Sequence, residues 1–363
     1  MNEERKLATI RRISSVVKHP NADALDIVKV DGWQCVAKLG QFKEGDLCIY
    51  IEIDSIPPDR EEFNFLKKDN GNMRTIKTVK LRGELSQGIC FPITILMNTI
   101  PDQFGLSFNN ETGNVKLYYE GEVWYEFNIG DDVTEFLGVT KYEKPIPNNM
   151  QGVMKGSFPT NLCPRTDEER IQNINIHQYD GMTFDALEKL DGTSATYILN
   201  NDEFIACSRN MELDPTMRGN VYWRIVDQYN LESILRERRY TEFAVQGEII
   251  GSNIQGNNYK LQGIEFRVFN VFDIARQEYI PWREVRLVCN ELGLKTVPEH
   301  GKITISPEHD RQYFLDKSEI KSALHDDVWC EGSVYRSIDR NHPLYNKISF
   351  KVLSNKYLLK YDK

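Results

Sequence analysis

Short runs of alternating apolar and polar residues, separated by turn residues, occupy residues 7–54 of this chain. The runs read LATIRRISSVVKHP, ALDIVKVDG, WQCVAKLG and GDLCIYIEID. Alternation with a period of two is typical of β-strands, and the segments at residues 20–23, 31–32 and 44–46 are typical of turns. GICFPITIL at residues 88–96 continues the pattern. The pattern predicts a small barrel of short strands, with an OB-like barrel as the favoured form and a plain β-sandwich as the alternative.

The rest of the sequence differs in texture from this first part. Residues 141–175 have little periodicity and are rich in proline, asparagine, glycine and serine, which predicts a linker and surface loop. Residues 176–363 mix strand-like runs with helical patterns, such as those at residues 218–240 and 282–294. A chain of 363 residues is long enough for two domains. We therefore predict an α+β protein, in which an OB-like β-barrel at residues 1–140 precedes an antiparallel-sheet domain.

Composition and cysteine usage indicate an intracellular protein, in the cytoplasm or the nucleus. No apolar run approaches the roughly 20 residues that a membrane-spanning helix needs. The N-terminal MNEERKLATIRR has no apolar segment typical of a secretory signal. The seven cysteines are scattered without a C-x-x-C spacing, and the six histidines are dispersed as well. These spacings argue against a disulfide framework or a structural zinc site, and they predict buried thiols in a reducing compartment.

One basic stretch stands out in a chain whose formal net charge is −9. The negative net charge argues against a protein that coats nucleic acid with a broad basic surface. The stretch LKKDNGNMRTIKTVKLRG at residues 66–83 contains a single acid, Asp69. Its basic residues are Lys67, Lys68, Arg74, Lys77, Lys80 and Arg82. The stretch predicts either an exposed hairpin without a ligand or a surface that contacts phosphates, and its composition alone does not separate the two.

Charged residues recur at predicted strand ends in the second half of the chain. Lys189 and Asp191 lie in EKLDGTS at residues 188–194, before a strand-turn-strand pattern. Further stretches each contain a residue of interest: Arg209 in CSRN, Glu248 in VQGEIIG, Phe269 and Phe272 in EFRVFNVFDI, Glu331 in WCEGSVYR, and Lys351 in ISFKVLSNKY. Each stretch taken singly is equally typical of an ordinary strand end. Their order along the chain is the more specific signal.

The order K-x-D-G, S-R, G-E, F-D-I, E-G-x-V and F-K resembles motifs I, Ia, III, IIIa, IV and V of the covalent lysine nucleotidyltransferases. That superfamily contains DNA ligases, RNA ligases and mRNA capping enzymes. The resemblance implies an antiparallel-sheet nucleotidyltransferase (ATP-grasp-like) domain at residues 176–363. In that domain Lys189 would attack the α-phosphorus of a nucleoside triphosphate and release pyrophosphate.

The resemblance also implies how charge is arranged around the nucleophile. Asp191, Glu248 and Glu331 would hold Mg²⁺ or Mn²⁺, partly through water. A lysine amine must be neutral to attack, and its pKa is ordinarily near ~10.4. Because nearby positive charge lowers such a pKa, Lys351 and the metal would serve to lower the pKa of Lys189.

The remaining residues of the resemblance would bind the nucleotide. Phe272, with Phe269 as the second choice, would offer an aromatic face to the base. Arg209 would meet a phosphate, where its fork of donors is useful. Glu248 would also meet the ribose hydroxyls, in addition to its part in holding the metal.

Sequence on both sides of these motifs distinguishes the branches of the superfamily. VDGWQCVAKLGQFKEGDLCIYIEIDSIPP at residues 30–58 and LCPRTDEERIQN at residues 162–173 resemble the Naegleria-type RNA ligases, whose OB module precedes the catalytic domain. The tail after Lys351, VLSNKYLLKYDK, is too short for the C-terminal OB domain of DNA ligases and capping enzymes. Many ligases have a K-x-K pair in motif V, but here Lys351 provides only the first lysine. The role of the second lysine is therefore unassigned, with Lys356 further along the tail.

The resemblance implies an ATP-dependent RNA ligase that joins a 3′-OH end to a 5′-phosphate end, particularly at nicks in duplexes. Lys189 would take AMP from ATP, AMP would pass to the RNA 5′-phosphate, and the 3′-OH would then expel it. We expect RNA contacts from the region of Lys77, Lys80 and Arg82, a monomeric state and no membrane binding. Two alternatives stay open: a capping-type guanylyltransferase that uses GTP, and a non-catalytic RNA-binding protein with a ligase fold.

Overall fold

The structure, a computed structural model, describes residues 5–142, 153–338 and 347–361. The chain divides between residues 144 and 145 into two compact units, each of which has buried hydrophobic residues of its own. Within the described residues, none of the helices has the length and apolar character that a membrane span requires.

The first unit consists almost entirely of β-structure. Its strands are β1 (Ala8–Lys18), β2 (Leu25–Val30), β3 (Trp33–Lys38), β4 (Leu47–Ile51), β5 (Ser55–Ile56), β6 (Thr78–Leu81), β7 (Glu84–Gln87), β8 (Ile89–Pro92), β9 (Phe104–Asn109), β10 (Asn114–Tyr119), β11 (Glu122–Phe127) and β12 (Thr140–Lys141). A short helix, α1 (Thr134–Leu137), and the 3₁₀ helices Glu61–Leu66 and Ile93–Thr99 lie between them. Five strands form an antiparallel sheet in the order β3-β2-β1-β4-β8, and β9–β11 form a separate three-stranded sheet.

Strand β1 is the central strand of the five-stranded sheet, and it bends at an irregularity. Residues 8–12 pair with β4, and the later residues of the strand pair with β2. The register shifts between Ile13 and Ser15, and an extra residue at such a point bends a strand. Ile10 and Ile13 are buried, as is Trp33 of β3. The short strands and the OB-like fold predicted from the sequence are confirmed.

The basic stretch at residues 66–83 ends in a hairpin made by β6 and β7. The turn contains Arg82 and Gly83, whose φ values of 48° and 96° suit a two-residue hairpin. Lys80 and Arg82 are exposed, whereas Lys67 forms an ion pair with Asp59 at 2.7 Å. Both alternatives for this stretch required an exposed hairpin, and the fold provides one without separating them.

The second unit contains two large, mainly antiparallel sheets and a separate two-stranded sheet, with helices packed on them. Its strands are β13 (Met154–Ser157), β14 (Glu169–Arg170), β15 (Thr183–Lys189), β16 (Thr193–Asn200), β17 (Glu203–Cys207), β18 (Met211–Leu213), β19 (Glu242–Gly251), β20 (Ile264–Asp273), β21 (Glu278–Tyr279), β22 (Lys295–Thr296), β23 (Glu299–Thr304), β24 (Lys321–Ser322), β25 (His325–Trp329), β26 (Gly332–Ser337) and β27 (Ser349–Leu353). Its helices are α2 (Val221–Tyr229), α3 (Leu231–Glu237), α4 (Trp282–Leu292), α5 (Arg311–Ser318) and α6 (Asn355–Tyr361), with 3₁₀ helices at Ile171–Asn173, Ile176–Tyr179 and Gln255–Asn257.

The two sheets differ in size. The larger, with eight strands, runs β13-β18-β17-β16-β19-β20-β21, and β22 pairs with β20 at its side. The smaller runs β14-β27-β26-β15-β23, with five strands. An antiparallel α+β arrangement of this kind was predicted from the sequence and is confirmed.

The helices form where the sequence shows helical spacing and suitable end residues. Helix α2 starts at Asn220, whose side chain accepts hydrogen bonds from the backbone of Tyr222 and Trp223. Helix α4 ends at Gly293, which is left-handed with a φ of 65°. The helical patterns at residues 218–240 and 282–294 correspond to α2 with α3, and to α4.

The structure differs from the predicted linker at residues 141–175. From residue 153 onward this segment is part of the second unit: β13 pairs with β18, and β14 pairs in parallel with β27. Phe158 and Cys163 are buried there against the larger sheet. Strands of two to four residues are too short to produce a readable alternation, so proline and glycine dominated the pattern. Residues 143–152, which include Pro145 and Pro147, lie outside the described residues.

Candidate active site

The stretch K-x-D-G is the crossing point between the two sheets of the second unit. Lys189 is the last residue of β15 in the smaller sheet, and β16 in the larger sheet starts at Thr193. A Cβ on Gly192 would lie 2.3 Å from the backbone oxygen of Ile249 and 2.8 Å from the Cγ of Glu248. Only glycine permits this approach. The crossing therefore brings Lys189 to the neighbourhood of Glu248.

Lys189 makes a direct ion pair with Glu331. Its Nζ donates to the Oε1 of Glu331 at 2.6 Å, and the lysine side chain is 30% exposed. The pair forms because Lys189 on β15 stands opposite Gly332 on β26, immediately after Glu331. The other oxygen of this carboxylate, Oε2, is buried and accepts no hydrogen bond from the parts of the chain that the structure describes.

Two cations of the site, Lys351 and Arg209, share one acidic partner. The Nζ of Lys351 lies 2.7 Å from the Oδ1 of Asp167, and Nη2 of Arg209 lies 3.1 Å from its Oδ2. The next residue, Glu168, accepts from the Nζ of Lys347 at 2.8 Å and also bonds the hydroxyl of Ser349. Asp167 thus forms ion pairs with Lys351 and Arg209, and Glu168 forms one with Lys347, just before β27.

The carboxylates control the protonation of Lys189. Burial alone lowers the pKa of Lys189, but the negative charges of Glu331, Glu248 and Asp191 outweigh it, and the pKa lies above its ordinary value. The sequence led us to expect that Lys351 and a metal ion together would lower this pKa, and in the structure Lys351 is bound to Asp167. Further positive charge is needed before the amine of Lys189 can attack.

Burial raises the pKa of two of the carboxylates, Glu248 and Glu331. Burial raises the pKa of Glu248 to about 8, with Lys189 opposing the rise and Glu331 and Asp191 adding to it. Burial likewise raises the pKa of Glu331. Negative charge is therefore crowded at this site, and a bound cation would relieve it.

The three carboxylates do not form a ready coordination sphere. Among residues 5–142, 153–338 and 347–361, no three His, Cys, Asp or Glu side chains are arranged to hold one metal ion. The charges of Asp191, Glu248 and Glu331 therefore influence one another, but the three carboxylates do not converge on one point as direct metal ligands. Their chemistry still fits Mg²⁺ or Mn²⁺, since hard carboxylate oxygens are suitable donors and the Oε2 of Glu331 is buried with its acceptor capacity unused.

Asp191 is held by residues that the sequence did not indicate. Its Oδ2 accepts hydrogen bonds from the hydroxyl of Tyr357 and from Nδ2 of Asn258, the latter at 3.3 Å. Its backbone N–H donates to the hydroxyl of Tyr259 at 2.8 Å. Burial, with the charges of Glu331 and Asp191, raises the pKa of Tyr357 well above its ordinary value, so this phenol stays protonated at neutral pH and donates the hydrogen bond to Asp191.

The exposed aromatic face expected from Phe272 is not present. Phe272 stands opposite Ala244, on the face of β19 that also carries Glu248, so its position along the sheet agrees with the resemblance. Its ring, however, is 0% exposed and packs with Phe158 and Cys163. A base can contact this ring only after the covering residues move. The sequence did not reveal this because the covering residues lie more than a hundred positions earlier in the chain.

The second aromatic candidate, Phe269, occupies the bulge of β20. The register of β19 with β20 shifts at this point, between Gln246 and Gly247, and Phe269 is partly exposed. Its backbone oxygen accepts from Nη1 of Arg336 at 2.6 Å. Phe269 therefore has a fixed backbone position and a partly exposed side chain.

The structure brings together the charged residues that the sequence selected and adds others. Lys189, Asp191, Glu248 and Glu331 interact directly or through their charges. The positive charge of Lys351 acts on Glu331, and that of Arg209 acts on Glu248. The residues missed from the sequence are Asp167, Glu168, Asn258, Tyr259 and Tyr357. The acidic run TDEER could have indicated the first two, whereas the others follow no motif.

Comparisons with known proteins agree with this architecture. A family model described as an OB-fold domain matches residues 7–93, and one described as RNA ligase matches residues 183–353. A search of curated proteins gave no match. The solved structures that match include several of the Naegleria gruberi RNA ligase.

These ligase structures cover nearly the whole of both chains. A substituted form with ATP and Mn is 33% identical, with a TM-score of 0.81 over 99% of this chain and 98% of that chain. A substituted form with AMP and Mn is 34% identical, with a TM-score of 0.80 and coverage of 98% of each chain. The same ligase with pyrophosphate is 34% identical, with a TM-score of 0.80 and coverage of 98% of each chain.

Fold and site together define an RNA ligase with an N-terminal OB-fold domain and a nucleotidyltransferase domain. The chain belongs to the Naegleria-type family of ATP-dependent RNA ligases.

Proposed function

We propose that this ligase joins a 3′-OH end of RNA to a 5′-phosphate end, at nicks in duplexes, with ATP and Mg²⁺ or Mn²⁺ as cofactors. The observation that carries the proposal is the ion pair of Lys189 with Glu331 at the sheet crossing, beside Asp191 and Glu248. The relatives solved with ATP, AMP, Mn and pyrophosphate support the choice of nucleotide and metal.

In the first step the Nζ of Lys189 attacks the α-phosphorus of ATP, a P–N bond forms, and pyrophosphate leaves. Glu331 fixes the direction of the amine through its hydrogen bond of 2.6 Å. A bound divalent cation supplies positive charge next to the phosphates and the carboxylates, which favours the neutral amine. In this proposal Asp191, Glu248 and Glu331 hold that cation through water and through the phosphates of ATP.

Lys351 and Arg209 are proposed to bind the phosphates of ATP. Both cations now bond the carboxylate of Asp167, at 2.7 and 3.1 Å. An anionic phosphate oxygen can replace this carboxylate oxygen because it accepts the same charge-assisted hydrogen bonds. Asp167 must release both cations in the exchange. Glu248 is proposed to meet the ribose hydroxyls.

In the second and third steps AMP passes from Lys189 to the 5′-phosphate of RNA, and the 3′-OH then attacks that phosphorus and releases AMP. Catalysis in such transfers comes mainly from positioning and from stabilising charge on phosphate oxygens. The 2′-hydroxyls and the A-form shape would identify RNA at the 3′-OH strand.

RNA contact by the first unit is part of the proposal. The exposed hairpin residues Lys80 and Arg82, together with Lys77, would contact backbone phosphates. We also propose that the enzyme acts as a monomer inside the cell. The buried free thiols of all seven cysteines support a reducing compartment.

The end specificity is tested with nicked RNA duplexes that differ only at the nick. We expect sealing with ATP when the ends are 3′-OH and 5′-phosphate, and no sealing when the 5′ end is a hydroxyl or the 3′ end is a cyclic phosphate. A matched duplex with deoxyribose at the 3′-OH strand should seal more slowly. Sealing of 5′-hydroxyl ends would contradict the proposal, and labelling of the protein by GTP rather than ATP would favour a guanylyltransferase.

A further inference from the structure

Among the described residues, the side-chain hydrogen bonds to the carboxylate of Asp191 are all made at one of its two oxygens. The hydroxyl of Tyr357 and the amide of Asn258 both donate to Oδ2, from helix α6 and from the segment before β20. Tyr259 holds the backbone N–H of the same residue. Two neighbouring elements therefore fix the orientation of this side chain, and a third contact fixes its backbone.

Helix α6 brings Tyr357 to this place by a short and well-anchored route. It follows β27, and Ser354 between them donates its backbone N–H to the backbone oxygen of Glu331 at 2.9 Å. The hydroxyl of Ser354 accepts from the backbone N–H of Tyr357 at 3.2 Å. Ser354 is 0% exposed and Tyr357 is 4% exposed. Ser354 thus links the first turn of α6 to Glu331, which bonds the proposed nucleophile Lys189.

The buried hydroxyl of Tyr357 has a partner of unusual strength. Burying a hydroxyl is costly unless it is hydrogen-bonded, and a bond to a carboxylate is stronger than one to a neutral acceptor. Phenylalanine would fill the same space, so the aromatic ring alone does not explain a tyrosine here. What tyrosine adds over phenylalanine is the hydroxyl that bonds Asp191.

We infer that Tyr357 is a positioning residue of the nucleotide site, whose hydroxyl turns the Asp191 carboxylate so that Oδ1 faces the metal and nucleotide. This inference rests on the proposed function. With Oδ2 held by Tyr357 and Asn258, rotation of the carboxylate would break both bonds, so the free oxygen is preorganised. Helix α6, which follows Lys351, thereby contributes to the active site.

The alternative is that the same bond only anchors α6 to the second unit. The two possibilities differ in one measurable respect. A positioning residue acts through Asp191, so its effect on nucleotide binding disappears when Asp191 no longer carries the carboxylate. A bond that only anchors α6 acts on folding, so Tyr357→Phe would then lower the free energy of unfolding and leave the affinity for nucleotide unchanged.

The test is a double-mutant cycle of Tyr357→Phe and Asp191→Asn, read by calorimetric binding of ATP with Mn²⁺. All proteins in the cycle carry Lys189→Ala, so that no covalent product forms. We expect Tyr357→Phe to weaken binding about tenfold when Asp191 is present, as loss of a partner of a metal-site residue does. In the Asp191→Asn background we expect Tyr357→Phe to change binding less than about twofold.

Two further variants secure the interpretation. Tyr335→Phe removes a buried hydroxyl from the core of the smaller sheet, away from Asp191, and should leave binding unchanged. Asn258→Ala removes the second bond to Oδ2 from a half-buried loop position and should weaken binding in the same direction, by roughly two- to threefold.

Equal binding by the Tyr357→Phe protein and its parent would overturn the inference, and so would an equal loss in the Asp191→Asn background. In parallel, adenylation is measured with Lys189 intact, where kcat should fall about tenfold for Tyr357→Phe. If the wild-type protein forms no AMP adduct, the proposed function is wrong. The binding cycle still decides the role of Tyr357, because it requires no reaction.

Discussion

The two groups of cations that the sequence singled out have opposite surroundings. Lys189 is half-buried and Lys351 is buried in the second unit, and each forms a short ion pair, with Glu331 and Asp167 respectively. Lys80, on the hairpin of the first unit, is exposed to solvent. A buried charge depends on each named partner, whereas an exposed charge acts mainly through a summed field that salt weakens. Single substitutions should therefore be severe in the first group and mild in the second.

The largest effect is expected from Lys189→Ala. The variant should form no AMP adduct and should not seal a nick with an ordinary 5′-phosphate, since the nucleophile is gone. A nick whose 5′ end is already adenylated should still be joined, though slowly, because that step needs no attack by lysine. Gel analysis of both substrates makes the comparison. An adduct on another lysine of this variant would show that the nucleophile is misassigned.

Next in size is Glu331→Ala, which removes the hydrogen-bond partner of Lys189. Adenylation should slow by about a hundredfold or more, as it does when a preorganised electrostatic contact is lost. Rapid-quench measurement of adduct formation gives the rate. The matched control is Glu284→Ala, at an exposed glutamate of α4, which should adenylate like the wild type. Wild-type rates for Glu331→Ala would mean that the E-G-S-V stretch is only a strand end.

The pH dependence of stability should be smaller but distinctive. Burial raises the pKa of Glu248 to about 8, whereas in the unfolded chain it returns to the ordinary value of 4.5. Between these values the folded state binds more protons than the unfolded state, so the free energy of unfolding falls as pH rises from about 4.5 to about 8. Glu248→Gln should flatten this fall, as measured by urea unfolding without metal or nucleotide. A rise in stability over that range, lost in Glu248→Gln, would contradict the raised pKa.

The smallest effect on chemistry should come from the hairpin of the first unit. Neutralising it with Lys77→Gln, Lys80→Gln and Arg82→Asn should weaken binding of nicked RNA and flatten its salt dependence, by roughly 0.9 in slope per lost phosphate contact on a duplex. Asparagine suits the positive φ of Arg82. Affinity is measured at several salt concentrations, and adduct yield at fixed ATP should change little.

The control for this set is Lys43→Gln, at an exposed lysine of the first unit outside the hairpin, which should leave the salt slope unchanged. Loss of adenylation with unchanged RNA affinity would show that the hairpin serves the ATP step. That result would remove the distinction between the two groups of cations.

Much of the site could be predicted because its residues lie on or beside strands in a fixed order. Lys189 ends β15, Glu248 lies within β19, and Glu331 immediately precedes β26. The convergence of two sheets then brings them together. The glycines beside them, Gly192 and Gly332, signal the close approach of backbones that this requires.

Other features depend on contacts that no local pattern encodes. Asp167 reaches Lys351 through a two-residue strand, β14, that has no readable period. Burial of Phe272 depends on a distant segment that covers it. The pKa of Lys189 depends on the balance of three carboxylates against burial. Whether it is raised or lowered therefore follows only from the folded arrangement.

The most direct test of the central claim is the mass of the protein after incubation with ATP and Mg²⁺, followed by mapping of the modified peptide. We expect a gain equal to one AMP on Lys189, reversed by added pyrophosphate, and no gain with GTP. An unchanged mass with ATP, or a nucleotide on a different residue, would contradict the assignment of Lys189 as the nucleophile of this RNA ligase.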